Sequence, residues 1–138
     1  MERDNVDSAI IEALKENSRL SYMELGRRVG LSEAAVRRRV KNLVKNKIIK
    51  KFTLEAQEAT AHAFTLIAVN PSTPTYEISG KIKSIKGVER VYEITGQYDI
   101  IAFVGGLTIA EVNSHIEEIR KTDGVIRTNT VIILREIV

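Results

Sequence analysis

Apolar residues recur at helical spacing in a short stretch near the start of the chain. In "NVDSAIIEALKEN", Val6, Ile10 and Leu14 fall on one face of a helix. Asp4 or Asn5 stands just before this face, where a side-chain oxygen caps the first turn. The pattern therefore predicts a first helix with one buried side.

Two more helices are predicted directly after it, separated by a tight turn. In "SYMELGRRVG", Ser21 and Glu24 have the spacing of a capping box, and Gly30 ends the helix. After the turn "VGLS", Ser32 caps a third helix that extends to about Lys45. Two short helices joined in this way are typical of a helix-turn-helix.

The segment "KNKIIKKFTLEA" follows the third helix and has a strand-like centre flanked by lysines. It predicts either a basic wing beside the helices or the start of a connector. We therefore expect a winged helix-turn-helix domain at residues 1–52, with the helix-turn-helix at about 21–40, and a connector at 53–61.

The rest of the chain, residues 62–138, alternates between strand and helix patterns and forms a second predicted domain. Its segments are, in order, "AHAFTLIAV" (strand), "PTYEISGKIKSI" (helix), "GVERVYEI" (strand), "IIAFVGG" (strand), "TIAEVNSHIEEIRK" (helix capped by Thr108) and "GVIRTNTVIILREI" (strand). This βαββαβ order predicts an α+β, ferredoxin-like fold, in which two helices cover one face of a four-stranded antiparallel sheet.

The uncovered face of that sheet is expected to be apolar. The residues assigned to it are Val91, Ile101, Phe103, Val131 and Ile133. These β-branched and aromatic residues are in excess of those needed to pack two helices on the other face of the sheet. We therefore expect the bare face to pair with another subunit, which makes the protein a dimer at least.

Composition restricts the class of protein further. The chain has 138 residues, of which 43% are hydrophobic, and it has no cysteine, so neither disulfides nor a thiolate zinc site are available. The charged start "MERDNVDSAI" does not resemble a signal peptide, and no apolar run approaches the roughly 20 residues of a membrane span. These features favour a folded cytoplasmic protein.

Charge is concentrated in one part of the chain. The net charge is only +3, yet residues 19–51 hold 11 Lys and Arg against two acidic residues, a local charge of +9. Such a cluster attracts the phosphates of double-stranded DNA. The alternative is a basic surface that only keeps the protein in solution.

Much of this positive charge lies on one side of the third helix. Val36, Val40 and Leu43 form its apolar stripe, and the opposite side is basic. Arg39 lies beside the apolar stripe, so we expect it to form a structural ion pair rather than a base contact. Ala34 is the one small residue on the basic side, where a helix in the major groove approaches the bases closely.

These considerations predict a set of DNA-binding residues. Groove contacts are assigned to Arg37, Arg38 and Lys41, and phosphate contacts to Lys45, Lys47, Lys50 and Lys51. The starts of the second and third helices complete the set with Ser21, Tyr22, Ser32, Glu33 and Ala34. For Glu33 three roles stay open: it accepts from a cytosine amino group, it favours the helix N-terminus, or it repels phosphate in wrong registers.

Enzyme chemistry finds no support in the sequence, and we expect no enzyme, cofactor or metal site. The chain has two histidines, His62 and His115, and both are expected to be surface or interface residues. There is no phosphate-binding glycine loop and no nucleophile with a plausible base.

The chain resembles, nearly end to end, the Lrp/AsnC family of transcription regulators, also called feast/famine regulatory proteins, and its archaeal members in particular. The resemblance is carried by Asp7, Ile10, Leu14, Arg19, Glu24, Leu25, Val29, Gly30, Leu31, Ser32, Arg39, Val40 and Leu43, by the "GV..vyeitG.YD" segment at 87–99, and by the last strand pattern at 124–137. The resemblance implies a DNA-binding winged helix-turn-helix and a ferredoxin-like domain (RAM or ACT-like) that dimerises, assembles further to an octamer, and binds a small amino acid.

The chemistry of "TGQYD" suits such an amino acid effector. A free amino acid needs an anion for its ammonium group and N–H groups or hydroxyls for its carboxylate. The effector residues assigned here are Thr95, Gly96, Gln97, Tyr98 and Asp99, with Thr128 and Thr130 of the last strand expected nearby. The simpler alternative is a hairpin turn that Asp99 only caps. The resemblance favours the effector site, because the family's effector binds around this loop where dimers meet.

The expected function is therefore a sequence-specific transcriptional regulator that binds an operator and responds to an amino acid. Two alternatives stay open: an architectural protein that binds DNA with little sequence preference, and an amino-acid-binding module without operator specificity.

Overall fold

The computed structural model describes residues 4–138, and the chain divides into two compact units, one that ends at Ala56 and one that begins at Gln57. Each unit has its own hydrophobic core. None of the helices within residues 4–138 has the length and the apolar character that crossing a bilayer requires.

The first unit contains three helices: α1 (Asn5–Glu16), α2 (Tyr22–Val29) and α3 (Glu33–Lys45). The predicted caps are confirmed, since the side chains of Asp4, Ser21 and Ser32 accept hydrogen bonds from backbone N–H groups of the first turns. Each cap pairs an N–H group that has no partner within the helix, which fixes where the helix begins.

The turn between α2 and α3 depends on two glycines. Gly30 ends α2 in the left-handed region with φ +73°, and its N–H donates to the carbonyl of Gly26. The N–H of Leu31 donates to the same carbonyl at 3.0 Å. A Cβ on Gly26 would lie 2.5 Å from the carbonyl oxygen of Leu31, so the absence of a side chain at Gly26 lets the turn close.

The predicted basic wing is not formed as a strand. The N–H groups of Ile48 and Ile49 both donate to the carbonyl of Leu43, and both side chains pack against the three-helix core. Residues 50–59 have no regular secondary structure. A strand needs a neighbour for its backbone groups, and within the described part of this unit no strand is present to provide one.

The second unit confirms the βαββαβ order. Its strands are β1 (Ala61–Val69), β2 (Val88–Glu93), β3 (Ile100–Gly106) and β4 (Val125–Ile132), and its helices are α4 (Thr75–Lys83) and α5 (Ile109–Lys121). The strands form one antiparallel sheet in the order β2-β3-β1-β4. The fold is therefore the predicted ferredoxin-like sandwich.

The core of the second unit lies between the two helices and one face of the sheet. Ile78 and Ile82 of α4, and Val112 and Ile119 of α5, are fully buried there. They pack with the buried residues of β1 and β3, such as Ile67 and the alternate positions Ile100, Ala102 and Val104. The pattern of alternate burial leaves the other side chains of β1 and β3 on the uncovered face.

That uncovered face is apolar, as predicted. A row crosses the sheet where Phe64 is paired with Phe103 on one side and with Val131 on the other. The rings of Phe64 and Phe103 lie 5.0 Å apart. Ile101 lies on the same face, and Ile133 follows β4 on this side, with its N–H bonded to the carbonyl of His62.

The assignment of Val91 to this face was wrong. Val91 is paired with the buried Ala102 and packs against the helix-covered core. The cause is a shift of register between Val88 and Arg90, because one extra residue in β2 moves every following side chain to the opposite face.

Candidate functional site

The exposed side of α3 forms a shallow groove. Its lining consists of Ser32, Glu33, Ala34, Arg37, Arg38, Lys41 and Asn42. Val36 and Leu43 on the opposite side are completely buried, and Val40 is 3% exposed. The helix is thus held on its unit by its apolar stripe, while the basic side faces solvent, as the sequence pattern predicted.

Arg39 is excluded from this groove by an ion pair within the unit. Its Nη1 donates to Asp4 Oδ2 at 2.7 Å and to Asp7 Oδ1 at 3.1 Å. The hydrogen bond from Arg39, followed by the one from the Asp7 backbone, lowers the pKa of the Asp4 carboxyl below its usual value. The hydrogen bond to Asp4, followed by the one to Asp7, raises the pKa of Arg39 above its usual value. The expected structural ion pair is confirmed.

The start of α2 lies beside the start of α3. The guanidinium of Arg37 is 5.1 Å from the centre of the Tyr22 ring, and its Nη2 donates to Glu33 Oε1 at 2.7 Å. Ser21 is engaged in the capping box with Glu24, whose carboxylate accepts from the Ser21 N–H at 2.8 Å. This bond, and then the one from the Ser21 hydroxyl, lowers the pKa of Glu24.

The remaining lysines assigned to DNA lie at the end of α3 and beyond it. Lys45, Lys47, Lys50 and Lys51 are all exposed. Lys47 has a positive φ of 57° and directly follows the helix cap Asn46. Lys51 lies at a second groove of the same unit, along the end of α1.

The loop 95–99 joins β2 to β3. Thr95, Gly96 and Gln97 are exposed, and Gly96 has a φ of 112°, which favours glycine. Asp99 is half-buried and bonded to its surroundings, because its Oδ2 accepts from the N–H of Val69 at 2.9 Å. Its carboxylate therefore helps to hold the end of β1, whereas the simpler interpretation has Asp99 cap its own turn.

Thr128 and Thr130 are not brought to this loop within the chain. The hydroxyl of Thr130 donates to the buried Thr65 at 2.9 Å, and that of Thr128 accepts from Nε of Arg120 at 3.0 Å, so both point to the helix-covered side of the sheet. The register explains this, because alternate residues of β4 face opposite sides.

Arg127 takes their place at the loop. It is paired with Ala68 of β1, and its guanidinium lies 5.2 Å from the centre of the Tyr98 ring. The sequence pattern did not predict this contact, because the residues it assigns to the effector on the last strand are the hydroxyl side chains Thr128 and Thr130. The alternation along β4 was the available signal, since it places Arg127 on the face opposite Thr128.

The two histidines differ from each other. His62 stacks on Phe103 with ring centres 5.0 Å apart, and its Nε2 is 3.4 Å from Glu89 Oε1. His115 is buried, which corrects its assignment to the surface. It lies on the inward stripe of α5, and Gly87 leaves room for its ring, because a Cβ at Gly87 would overlap the imidazole.

No group of three or more His, Cys, Asp or Glu side chains within residues 4–138 is arranged to hold a metal ion.

Comparison with known proteins gives matches to both units. The profile described as the AsnC-type helix-turn-helix domain matches residues 4–44, and the one described as the Lrp/AsnC ligand binding domain matches residues 62–138. The chain is 45% identical over 133 residues to the HTH-type transcriptional regulator LysM of Saccharolobus solfataricus, covering 96% of this chain and 94% of the relative. It is 44% identical over 133 residues to the LysM regulator of Sulfurisphaera tokodaii, covering 96% and 95%.

A solved structure shows the same fold over almost the whole chain. It is the feast or famine regulatory protein of M. tuberculosis complexed with L-methionine, which superimposes with a TM-score of 0.89 at 26% sequence identity. The superposition covers 98% of this chain and 94% of the mycobacterial chain.

Proposed function

The chain belongs to the Lrp/AsnC family of transcriptional regulators, and from this we propose that α3 binds the operator and that the loop 95–99 belongs to the amino acid site. Membership of the family confirms the resemblance seen in the sequence. The observation that carries the DNA assignment is the two-sided character of α3, where Val36 and Leu43 are fully buried and the opposite side is basic and exposed. We place the regulator in the cytoplasm.

In the proposed complex, α3 enters the major groove. Arg38 and Lys41 donate hydrogen bonds to base edges, and the small side chain of Ala34 permits close approach. The lysines at the end of α3 and beyond it bind phosphates: Lys45, Lys47, Lys50 and Lys51. Ser21, Tyr22 and Ser32 lie at helix starts, where backbone N–H groups favour an anion. Phosphate contacts add affinity for every sequence, whereas the groove contacts select one.

Two copies are needed for this mode of binding. We assign the contact between them to the uncovered sheet face with Phe64, Phe103 and Val131. Exposure of this apolar surface to water is unfavourable in free energy, and a second copy would bury it. A dimer with two-fold symmetry presents two α3 helices to successive major grooves, about 34–36 Å apart, on a roughly symmetric operator. We further propose that dimers assemble to an octamer.

The effector is a free amino acid. Its ammonium group is assigned to the carboxylate of Asp99, and its carboxylate to the N–H groups beside Gly96. Arg127 adds a cation at the same end of the sheet, next to Tyr98. The mycobacterial relative in complex with L-methionine supports an amino acid as the class of ligand. A site completed by a second dimer would couple binding to assembly, typically by about 1–3 kcal/mol.

Selection of duplexes from a randomised DNA pool by the full chain tests this function. We expect enrichment of a roughly two-fold symmetric sequence, and a change in affinity for it when one of the standard amino acids is added. Equal binding to selected and scrambled duplexes would instead support an architectural protein. Amino acid binding without any DNA binding would support the third possibility, a binding module without an operator.

A further inference from the structure

Glu33 and Arg37 form a preassembled pair at the start of the groove-facing helix. Nη2 of Arg37 is 2.7 Å from Glu33 Oε1, and both side chains are about half exposed, at 50% and 47%. Tyr22 of α2 lies against the guanidinium at 5.1 Å from its ring centre. The pair is therefore fixed from two directions and still open to the solvent side of the groove.

The charges of this pair argue against a phosphate contact. A carboxylate at 2.7 Å balances most of the charge of Arg37 and repels a second anion. Glu33 is one of only two acidic residues between positions 19 and 51, where 11 basic residues are available for phosphates. Its place on the basic face therefore favours a partner that is neutral and that offers both acceptors and a donor.

A G·C base pair is such a partner. In the major groove, guanine presents two acceptors, N7 and O6, and cytosine presents the N4 amino donor beside them. Arg37 keeps donors that are not directed at Glu33, and Glu33 keeps the acceptor oxygen Oε2. The donors of Arg37 thus match the two acceptors of guanine, and the acceptor of Glu33 matches the amino donor of cytosine. An A·T pair would place its adenine amino group against Arg37 and its thymine carbonyl against Glu33.

We propose that Glu33 and Arg37 act as one unit that selects a G·C pair in each operator half-site, with Tyr22 supporting the guanidinium. The proposal rests on the proposed function, in which α3 enters the major groove. It assigns Glu33 a direct role, in which the carboxylate orients Arg37 and accepts from cytosine.

The test uses the duplex selected from a randomised pool by the full wild-type chain, and variants of it in which single base pairs are exchanged. For the wild type, changing the G·C pair to A·T in one half-site only should lower affinity by roughly 5- to 150-fold, the range expected for one good bidentate contact. Arg37→Lys, which keeps the charge but loses the fork, and Glu33→Ala should both abolish this preference. The affinity of Arg37→Lys for the A·T duplex should stay close to that of the wild type, whereas that of Glu33→Ala should rise, because a carboxylate that repels phosphates is lost.

A matched control is available in the same unit. Glu12 forms an exposed ion pair with Lys15 at 3.0 Å on α1, so Glu12→Ala removes an equivalent acid and should leave the G·C preference unchanged. Tyr22→Leu removes the ring beside the guanidinium and should reduce the preference. Circular dichroism checks that each variant is folded.

Each alternative result overturns the proposal in its own way. If Arg37→Lys weakens binding equally for all duplexes, Arg37 contacts phosphate rather than a base. If Glu33→Ala changes affinity equally for all duplexes, Glu33 contacts no base. If only Arg37→Lys removes the preference, Glu33 is not part of the unit. A selected sequence whose base preferences are all insensitive to both variants refutes this inference alone, while failure of the wild type to enrich any sequence refutes operator binding as well.

Discussion

Lys47 adopts a backbone conformation that side chains normally avoid. It is the only non-glycine residue with a positive φ within residues 4–138. Its N–H donates to the carbonyl of Val44, and the next N–H, that of Ile48, donates to Leu43. These two bonds form a Schellman motif at the end of α3, in which the residue at this position is most often glycine.

Replacement of Lys47 by glycine should therefore stabilise the first unit. The left-handed conformation costs an L-residue roughly 1–2 kcal/mol, and glycine avoids that strain. Glycine in turn loses about 0.5–1 kcal/mol more backbone freedom on folding than alanine does. Lys47→Gly should accordingly be more stable than Lys47→Ala by about 0.5–1 kcal/mol. The alanine variant is the matched control, because it lacks the same charge but keeps the strain.

The effect can be measured on the full chain in two ways. Thermal unfolding followed by circular dichroism should show a transition of the helical unit that is higher by about 2–8 °C for the glycine variant than for the alanine variant. Hydrogen exchange at Ile48 and Ile49, whose N–H groups bond to Leu43, should slow in proportion. Because both variants lack the lysine, the salt dependence of DNA binding should fall by about one unit of slope in each.

Equal stability of the two variants would refute this reasoning, since the left-handed backbone at Lys47 would then carry no strain. Greater stability of the alanine variant would show in addition that the chain does not turn here as described.

Three further predictions concern the binding faces and the ion pair. Arg38→Ala should remove the preference at the base pairs that Arg38 contacts, while the G·C preference assigned to Glu33 and Arg37 and the circular dichroism spectrum stay unchanged. Base preferences identical to those of the wild type would contradict the groove assignment of Arg38. Asp99→Asn should abolish the amino acid response and leave basal DNA binding intact; loss of both would show that the bond to Val69 is a purely structural requirement. Since the pKa of Asp4 is lowered in the folded state, its pairing with Arg39 stabilises the protein fully above about pH 4, the ordinary carboxyl value, and less as the pH falls through the lower folded value. Thermal unfolding at several pH values should thus show a smaller acid-induced loss for Asp4→Asn, which keeps the cap without the charge, and an unchanged acid profile would refute the linkage.

The parts of the fold that were predictable from sequence are those set by neighbouring residues. Ser21 and Glu24 fix the start of α2 through bonds that span three positions, and the stripe of Val36, Val40 and Leu43 determines which side of α3 is buried. Such signals lie within one helix and need no knowledge of the rest of the chain.

The parts that were missed depend on pairing between distant segments. Val91 changed faces because of an extra residue in β2, which only the register against β3 reveals. Arg127 reaches Tyr98 because β4 pairs with β1, and nothing close to Arg127 in sequence indicates that contact. Of the two roles open for the segment after α3, the strand of a wing does not form and the connector remains, since its isoleucines pack on helices and no strand of the same described unit lies beside it.

The close approach of Gly26 to Leu31 separates the angle at which α3 is presented from the assigned choice of operator. A single methyl group at Gly26 would press on the Leu31 carbonyl and open the turn, so this contact sets the angle between α2 and α3. The residues to which we assign the choice of operator lie on solvent-facing turns of α3. New target sequences can therefore be acquired by exchanging those outward side chains alone, with the angle at which the helix is presented left as it is.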